Sequence, residues 1–378
     1  MPLNFSIINA ISDIPEHVWN GLFGNIIEDY GYHKTLQESE SKDCSIKYLL
    51  GKRTDKILVI VPFFIMNFSF ETVIGPPLHI IAHKIRKFLQ IKVMFIGSPT
   101  TERFHLAIDN NEELKDVLDK AIAYLDKFAR KEKLAGILFY NISEKNKLLA
   151  GYLAKQGFFE MESLPSTIIK INADSLESYI NSLSSNMRKD LKRKLRRSQE
   201  RVSLRTEIRD NIDGIEEEIY ELYMHNFSDS DVHFEILSPR FFTDICKNMP
   251  NIAKYFITYD KDKIVAFDLC FVKNGLFLDK YIGFDQRRAK EYHLYFTTFC
   301  YNLDWCIKNG LRYYQPGATD YYPKIRLGAK LIPLYIYAKA FNPLLNTLLK
   351  IFKKYIEPKN LDSSLKNIQW FIDTGDQV

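Results

Sequence analysis

The sequence has few cysteines and no long hydrophobic run. Its 378 residues include only five cysteines, without a Cys-x-x-Cys pair or the spacing of a disulfide framework, so we expect free thiols in a reducing compartment. The longest apolar run, residues 57–66, is too short to cross a bilayer, and no basic segment followed by a long apolar stretch opens the chain. These absences predict a cytoplasmic protein that contacts the inner membrane face at most peripherally.

Motifs that bind metals through a fixed spacing are also missing. The sequence contains no His-Glu-x-x-His motif, no cluster of His and Cys, and no EF-hand loop, so we expect no metal. Hydrophobic residues (46%) and charged residues (26%) occur in the proportions of a soluble globular protein, and the length suggests two domains. Aromatic residues are abundant, with 27 Phe and 22 Tyr, and they supply large buried surfaces and flat faces for ligands.

Strand and helix patterns alternate through the first half of the sequence. Short runs rich in β-branched residues predict strands at 57–65, 92–96, 136–140 and 166–171. Between them, apolar residues from Leu114 to Phe128 recur at mostly three- and four-residue steps, which predicts an amphipathic helix. We place the first domain at residues 1–174.

The most basic stretch of the sequence, 187–197, opens the second half. It belongs to a predicted helix at 184–201. Turn signals such as Asn274-Gly275 then separate three strands of an antiparallel meander, which a long helix and a further strand follow. These elements are predicted at 253–259, 263–272, 275–282, 292–308 and 312–315. We place the second domain at 175–345 and a C-terminal amphipathic helix with its tail at 346–378.

Three stretches of this second half resemble a known family. They are the serine-then-basic segment 182–193, the helix 302–311, and Gln315-Pro316-Gly317-Ala318 followed by Lys324-Ile325-Arg326-Leu327-Gly328. The third stretch is similar to the Pro-Gly-Ala…Lys…Arg-Gly signature of FemAB-like proteins, a GNAT-related group associated with peptidoglycan biosynthesis or recognition. The resemblance implies an α/β (α+β) fold of two tandem GNAT-like halves, each a mixed, mostly antiparallel sheet flanked by helices.

The same resemblance implies an enzyme. It would be a GNAT-type N-acyltransferase that moves an acyl or aminoacyl group from acyl-coenzyme A or aminoacyl-tRNA to a small-molecule or lipid-linked amine of cell-envelope, lipid or peptidoglycan precursor metabolism. A bulged strand at 277–283 would offer backbone amides to the donor carbonyl. The alternative is a non-catalytic, degenerate GNAT module that binds RNA or an acidic polymer through the basic helix.

Donor-binding residues are expected in two basic segments. The segment 283–290 lacks the glycines with which GNAT proteins bind pyrophosphate, so Arg287, Arg288 and Lys290 are candidates to bind phosphate through side-chain charge, or else form a solvated turn. The helix at 184–201 would bind the backbone of a transfer RNA, or else face solvent.

The spacing of Leu191 and Leu195 gives the basic helix one apolar seam, so we expect it to pack on the body of the protein with its charges outward.

The signature after the predicted strand 312–315 supplies the candidates for acceptor binding. Lys324 and Arg326 follow a Pro-Gly turn at a strand end, where open sheets bind ligands, and we expect them to contact the acceptor or a phosphate. The aromatic candidates for binding the acceptor are Tyr314, Tyr321 and Tyr322. Packing and surface roles are the alternative for this group.

A catalytic base is less clearly indicated. Segments 320–323 and 295–297 replace the Gly-Glu-His and His-Phe-Glu of the family, so the resemblance assigns no catalytic acid or histidine. Asp320 and Asp285 are the nearest carboxylates in sequence and are our candidates to accept the proton of the attacking amine.

The segment 343–356 combines an apolar stripe at helical spacing with three lysines. Such a helix is expected to lie on an anionic membrane surface, or else to pack on its own domain.

Overall fold

Two mixed β-sheets organise the chain, which we describe from a computed structural model over residues 2–24, 26–39, 44–69, 90–229, 236–361 and 363–366. The strands are β1 Asn4–Ile8, β2 Cys44–Arg53, β3 Lys56–Ser69, β4 Gln90–Ile96, β5 Ala107–Ile108, β6 Gly136–Ser143, β7 Phe159–Glu162, β8 Ser166–Lys170, β9 Leu204–Arg209, β10 Ala253–Asp260, β11 Lys263–Lys273, β12 Leu276–Phe284, β13 Tyr313–Gln315, β14 Lys330–Ile332 and β15 Leu334–Ala340. The helices are α1 Glu16–Phe23, α2 Tyr30–Glu38, α3 Leu114–Lys131, α4 Lys147–Lys155, α5 Leu176–Ser182, α6 Ser185–Arg201, α7 Glu216–Asp229, α8 Pro239–Asn248, α9 Gln286–Ala289, α10 Leu294–Lys308, α11 Tyr321–Arg326, α12 Pro343–Ile356 and α13 Pro358–Leu361. In this part of the chain no helix is long and apolar enough to span a bilayer.

Each sheet belongs to its own compact unit. The first unit comprises Met1–Pro165 and Pro333–Ile368, and its sheet has the order β1-β2-β3-β4-β6-β15-β7, with β5 paired to β3. The second unit is built from Ser166–Ile332, and its sheet has the order β14-β8-β13-β12-β11-β10-β9. Strands β4 and β6 run parallel in the first sheet, as do β12 and β13 in the second, and the other described pairs are antiparallel. The predicted tandem fold of mixed, mostly antiparallel sheets is confirmed.

The units divide the chain differently from the domains predicted at 1–174, 175–345 and 346–378. Strand β8, predicted to complete the first half, pairs with β13 and β14 of the second unit. Strand β15, inside the predicted second domain, pairs with β6 and β7 of the first unit. A local pattern identifies a strand, but its partner depends on contacts between residues distant in sequence, so the pattern alone places neither strand in its sheet.

The predicted amphipathic helix of the first half is α3. Its inward face consists of Val117, Leu118, Ala121, Ile122, Leu125 and Ala129, all buried against the first sheet. Fully burying each large aliphatic side chain contributes roughly 1.5–3 kcal/mol, which explains why this helix forms where the spacing predicted it.

The predicted basic helix is α6. The Ser184 hydroxyl accepts a hydrogen bond from the Met187 amide and caps the helix. Leu191 is buried in the core of the second unit and Leu195 packs against that core, so the predicted apolar seam is confirmed. The opposite face, with Lys192, Arg196 and Arg197, is exposed.

Candidate functional site

The second sheet opens between β12 and β13. These parallel strands pair only from Leu276↔Tyr313 to Leu278↔Gln315. Pro316 follows directly, and it has no backbone N–H with which to extend the ladder. On the other side of β12 the register with β11 shifts, so that Leu269 pairs with Tyr281 and Cys270 with Asp279, and Lys280 occupies a bulge of β12. The bulge falls inside the predicted segment 277–283.

A cavity lies at this opening. It is small and partly open, since the roughly 260 Å³ of empty space counted at this place includes open solvent. The lining residues come from β11, β12, α10, β13 and Pro316; they are Asp268, Asp279, Ile282, Phe284, Tyr295, Thr298, Phe299, Tyr314 and Pro316. Most of the wall is apolar or aromatic, and a few polar groups converge on it.

Two carboxylates are buried in the cavity wall. Asp268 is 2% exposed, and its Oδ2 has no hydrogen-bond partner within the described residues. Asp279 is 8% exposed and accepts a hydrogen bond from the Tyr314 hydroxyl at 2.7 Å. The Asn302 amide and the Cys270 thiol also point to Asp279, at 3.5 and 3.7 Å. Asp279 is therefore held by several donors, whereas one oxygen of Asp268 is buried without a partner among the described residues.

Burial and mutual repulsion change how this pair holds protons. Burial, followed by the negative charge of Asp279, raises the pKa of Asp268 well above its usual value. Burial also raises the pKa of Asp279, while the hydrogen bond from Tyr314 and the positive charge of Lys324 oppose that rise. Two adjacent carboxylates titrate as a coupled unit, so the pair retains a proton at pH values where exposed aspartates are fully ionised.

Two further buried polar atoms belong to the same region of the second unit. Within the described residues, neither the Tyr295 hydroxyl nor the Asn302 Oδ1 has a hydrogen-bond partner. Burial, and then the charge of Asp279, raises the pKa of Tyr295, so this hydroxyl keeps its proton and is available as a donor. Leaving a buried polar group unpaired costs roughly 1–3 kcal/mol. Unpaired buried groups of this kind are satisfied by ordered water or by a ligand, and Asp268 and Tyr295 both line the cavity.

The loop after β13 forms one edge of the cavity and is backbone-strained. Gly317, Thr319 and Asp320 all have positive φ angles, of 70°, 64° and 44°. For the β-branched Thr319 this conformation is unfavourable. The buried Lys324 ammonium compensates by donating to the carbonyls of Gly317, Ala318 and Thr319, at 3.4, 2.9 and 2.7 Å.

The predicted contact of Lys324 with the acceptor or a phosphate stays a prediction. In the structure its ammonium is engaged by backbone carbonyls and the residue is only 5% exposed, so it holds the loop in place. Its positive charge also acts on Asp279, whose pKa it lowers.

The remaining candidates of the signature have different surroundings. Tyr314 lines the cavity, as expected for a residue that contacts the acceptor, although its hydroxyl is hydrogen-bonded to Asp279. Tyr321 is fully buried. Tyr322 is exposed, with the Arg326 guanidinium 5.5 Å from its ring centroid, and Arg326 also reaches Asp190 at 3.4 Å. Of this group, only Tyr314 is among the residues that line the cavity.

The two carboxylates predicted as bases are not in the cavity wall. Asp285 caps α9 through the Arg287 amide at 3.1 Å and pairs with Lys263 at 2.7 Å. Burial acts to raise the pKa of Asp285, but Lys263 and the amides lower it below the usual value, so Asp285 is a poor proton acceptor. Asp320 is exposed at the start of α11. The structure therefore places neither predicted base in the cavity wall, which instead contains Asp268 and Asp279.

The predicted donor-binding cations lie near the start of α10. Arg288 is paired with Asp260 at 2.8 Å, whereas Arg287 and Lys290 are exposed. Cations of α6 lie on the same side, since burial and then the charges of Lys194 and Arg197 lower the pKa of His293, which precedes α10. Several positive charges therefore lie together in this part of the second unit.

Sequence reasoning missed Asp268, Asp279 and Tyr295. A signal for the aspartates was present, because each interrupts an otherwise mostly apolar strand, in Val265-Ala266-Phe267-Asp268-Leu269 and Phe277-Leu278-Asp279. A buried carboxylate is costly unless it is paired or functional, so an acid inside an apolar strand is informative. Both aspartates are far from the signature in sequence and approach it only through the pairing of β11, β12 and β13.

The fold and the opening between β12 and β13 define a tandem GNAT-fold protein. FemX superposes with a TM-score of 0.55 at 11% identity, covering 91% of this chain and 100% of that chain. L-PGS from Bacillus licheniformis gives a TM-score of 0.51 at 11% identity, covering 90% and 95%. A tandem GNAT protein from the clavulanic acid biosynthesis pathway gives 0.53 at 10% identity, covering 90% and 99%.

The chain belongs to the FemAB-like family of peptidoglycan biosynthesis/recognition, whose sequence model matches residues 79–361. No curated protein matches the sequence. The resemblance inferred from the Pro-Gly-Ala…Lys…Arg-Gly signature is confirmed.

Proposed function

We propose that the protein is an acyl or aminoacyl transferase whose acceptor is an amine of cell-envelope or lipid precursor metabolism. The observation that carries this proposal is the cavity at the opening between β12 and β13, whose wall contains the unpaired buried oxygen of Asp268 together with Asp279 and the Tyr295 hydroxyl. Membership of the FemAB-like family and the GNAT fold support a transferase of this class.

The carboxylate pair would bind the acceptor in its ammonium form and then remove a proton. An ammonium placed between Asp268 and Asp279 is a charge-assisted donor to both groups. Transfer of one proton to the ionised member of the pair leaves a neutral amine with a free electron pair. This amine attacks the donor carbonyl and forms the C–N bond. The nitrogen then loses a second proton, the C–O or C–S bond to the donor breaks, and the leaving oxygen or sulfur takes up that proton.

The developing oxyanion would be stabilised by backbone N–H groups around the bulge of β12. Such fixed dipoles act strongly in a site from which water is largely excluded. The Tyr295 hydroxyl is a second donor within the same wall. The positive region around Arg287, Lys290 and α6 would bind the phosphates of acyl-coenzyme A or the backbone of an aminoacyl-tRNA.

Transfer assays test the proposal directly. The purified protein is incubated with acyl-coenzyme A or aminoacyl-tRNA and a panel of primary amines, and the amide product is detected by mass spectrometry. We expect product with at least one donor class, and a loss of about 10²- to 10⁴-fold in kcat for Asp279→Asn, the range for removing a general base. Asp304→Asn is the matched control, because Asp304 lies on α10 but pairs with Lys308. A folded protein that transfers nothing from either donor contradicts the proposal.

The second candidate, an RNA-binding module without catalysis, is favoured by the exposed cationic face of α6. It differs in one respect that can be measured. A pure binder retains its full function in Asp279→Asn, because that carboxylate lies in the cavity wall and not on the exposed surface.

A further inference from the structure

Helix α12 of the first unit presents an apolar face to solvent. Leu344, Leu348 and Ile351 are 70%, 43% and 57% exposed. Their spacing of four and three residues places them on one side of the helix. Single exposed aliphatic residues are common on protein surfaces, but three at this spacing form a stripe along one helical face.

The opposite side of α12 is fixed to the body of the first unit. Asn342 caps the helix by accepting from the amides of Leu344 and Leu345 at 2.9 and 3.1 Å. Asn346 accepts from the Ala340 amide at 3.0 Å, and Lys353 donates to the Glu160 carbonyl at 2.9 Å. The helix is thus held on this side, where Leu345 and Leu349 are also half-buried, whereas Leu344, Leu348 and Ile351 face out.

The charge of the helix favours one kind of partner. Its sequence, PLLNTLLKIFKKYI, contains three lysines and no acidic residue. Beyond it, Glu357 and Glu162 share one cation, Lys359, at 3.1 and 3.0 Å, which offsets part of their negative charge. An exposed apolar stripe with lysines beside it is the pattern of helices that lie in the interface of an anionic membrane.

A second copy of the chain is a poorer fit to this stripe. Fourteen residues at about 1.5 Å each make a helix about 21 Å long and about 10 Å wide. A symmetric contact through that face alone would bury roughly 400 Å² in total, well below the ~1,200 Å² of stable interfaces. A lipid surface has no such requirement, because apolar side chains insert individually among the acyl chains.

We propose that α12 is a docking element that binds the protein peripherally to membranes containing anionic lipids. The apolar stripe inserts at the level of the headgroups, and the positive charge of the helix attracts lipid phosphates. This role is independent of the chemistry at the cavity, which belongs to the second unit.

Vesicle flotation with the full-length protein tests the proposal. Vesicles contain phosphatidylcholine alone or equal parts of phosphatidylcholine and phosphatidylglycerol. We expect binding to the mixed vesicles, weakening as salt is raised, and little binding to the neutral ones. Ile351→Glu should reduce binding about tenfold or more, because it removes one inserted side chain and places an acid against lipid phosphates.

Matched variants on α4 control for a general loss of surface hydrophobicity or charge. Leu148 is 78% exposed on that helix of the same unit, so Leu148→Glu makes the same chemical change elsewhere and should bind normally. Lys350→Glu should weaken binding, whereas Lys155→Glu on α4 should not. Because all four side chains are exposed, thermal unfolding should match that of the parent protein.

Three results would overturn the proposal. They are an absence of vesicle binding by the folded protein, equal binding to neutral vesicles, and equal losses in Ile351→Glu and Leu148→Glu. Light scattering tests the alternative that the stripe binds a second copy of the chain. In that case the parent protein would be a dimer that binds no vesicles, and Ile351→Glu would dissociate it.

Discussion

At the scale of single residues, Asp268 lines the candidate site and also lowers the stability of the folded protein as pH rises. Its carboxyl is buried and its pKa is raised well above that of an exposed aspartate, chiefly by burial. Above about pH 4 the unfolded chain releases this proton while the folded chain keeps it, so the folded state binds more protons and stability falls as pH rises. Residues that act on substrates frequently carry a cost of this kind.

Asp268→Asn should therefore stabilise the protein while it abolishes transfer. The amide has nearly the same shape and does not titrate, so the gain in unfolding free energy should grow between pH 5 and 8, by at most about 1.4 kcal/mol per pH unit. Urea unfolding at several pH values measures this, and the transfer assay measures activity on the same samples. A variant that is destabilised equally at every pH would show that Asp268 has only a packing role.

His33 gives a pH dependence of opposite sign in the first unit. It is 1% exposed, its ring lies 4.7 Å from that of Trp19, and neither ring nitrogen has a hydrogen-bond partner within the described residues. Burial, followed by the charge of His105, lowers its pKa to about 3. Between that value and about 6.5 the unfolded chain binds the extra proton, so stability is lost as pH falls.

His33→Phe should reduce this loss of stability in acid. The unfolding free energy of the variant should fall less than that of the parent protein between pH 7 and 5, because one titrating group is removed from the unfolded reference. His17→Phe is the control, since His17 is exposed on α1 and should leave the pH profile unchanged. Parallel profiles for parent and His33→Phe would contradict the assignment.

At the scale of elements, the loop after β13 depends on one buried cation. Lys324 holds three carbonyls of a segment with positive φ at Thr319 and Asp320. Lys324→Met keeps the length of the side chain but removes every one of those bonds. A single hydrogen bond to a charged group contributes about 1.5–3 kcal/mol, so we expect at least that loss of stability, together with a lower kcat.

The matched control for this variant is Lys330→Met, because Lys330 is exposed on β14. Removing the positive charge near Asp279 should also shift the pH profile of kcat to higher pH, since Lys324 lowers the pKa of that carboxyl. If Lys324→Met lost stability but the pH profile of kcat did not change, Lys324 would have only the structural role of holding the loop.

Helix α6 is the element on which the donor proposal depends. Replacing Lys192, Arg196 and Arg197 with glutamate reverses its exposed face. Transfer RNA binding should weaken, and the slope of log affinity against log salt should fall by about 0.7–0.9 for each phosphate that is no longer neutralised. The same reversal at Lys115, Lys120 and Lys127, which are exposed on α3, changes net charge equally and should have little effect. Unchanged affinity in the α6 variant would favour acyl-coenzyme A as donor.

At the scale of the whole molecule, sequence patterns predicted where helices, strands and turns lie better than they predicted which strands pair with one another. The spacing of Leu191 and Leu195 and the turn at Asn274-Gly275 depend on neighbouring residues, and both match the structure. The placement of β8 and β15 depends on pairing between residues far apart in the chain, as in Ser166↔Ile332, and the sequence does not encode it locally. Asp268 and Asp279 were missed for the same reason, because they come together only through the register of β11 and β12.

The second unit is in effect inserted between β7 and β15 of the first. The Ser163 amide donates to the Leu334 carbonyl at 2.8 Å, so the two ends of the first unit meet where the chain leaves and returns. Ser166 and Ile332 likewise face each other across β8 and β14. Strand β15 lies between β6 and β7, so removing it breaks a ladder on both of its sides.

A shortened chain can be made in which a short glycine-serine linker joins residue 165 to residue 333. We therefore expect this chain to fold cooperatively. We expect residues 1–165 alone not to fold. The physical reason is that β7 loses its described pairing partner without β15, and the backbone groups of β6 on that side become unpaired. Residues 166–332 alone should fold as the second unit. Circular dichroism and thermal unfolding of the three fragments test this, and a fragment of residues 1–165 with the same melting temperature as the linked chain would show that β15 is dispensable.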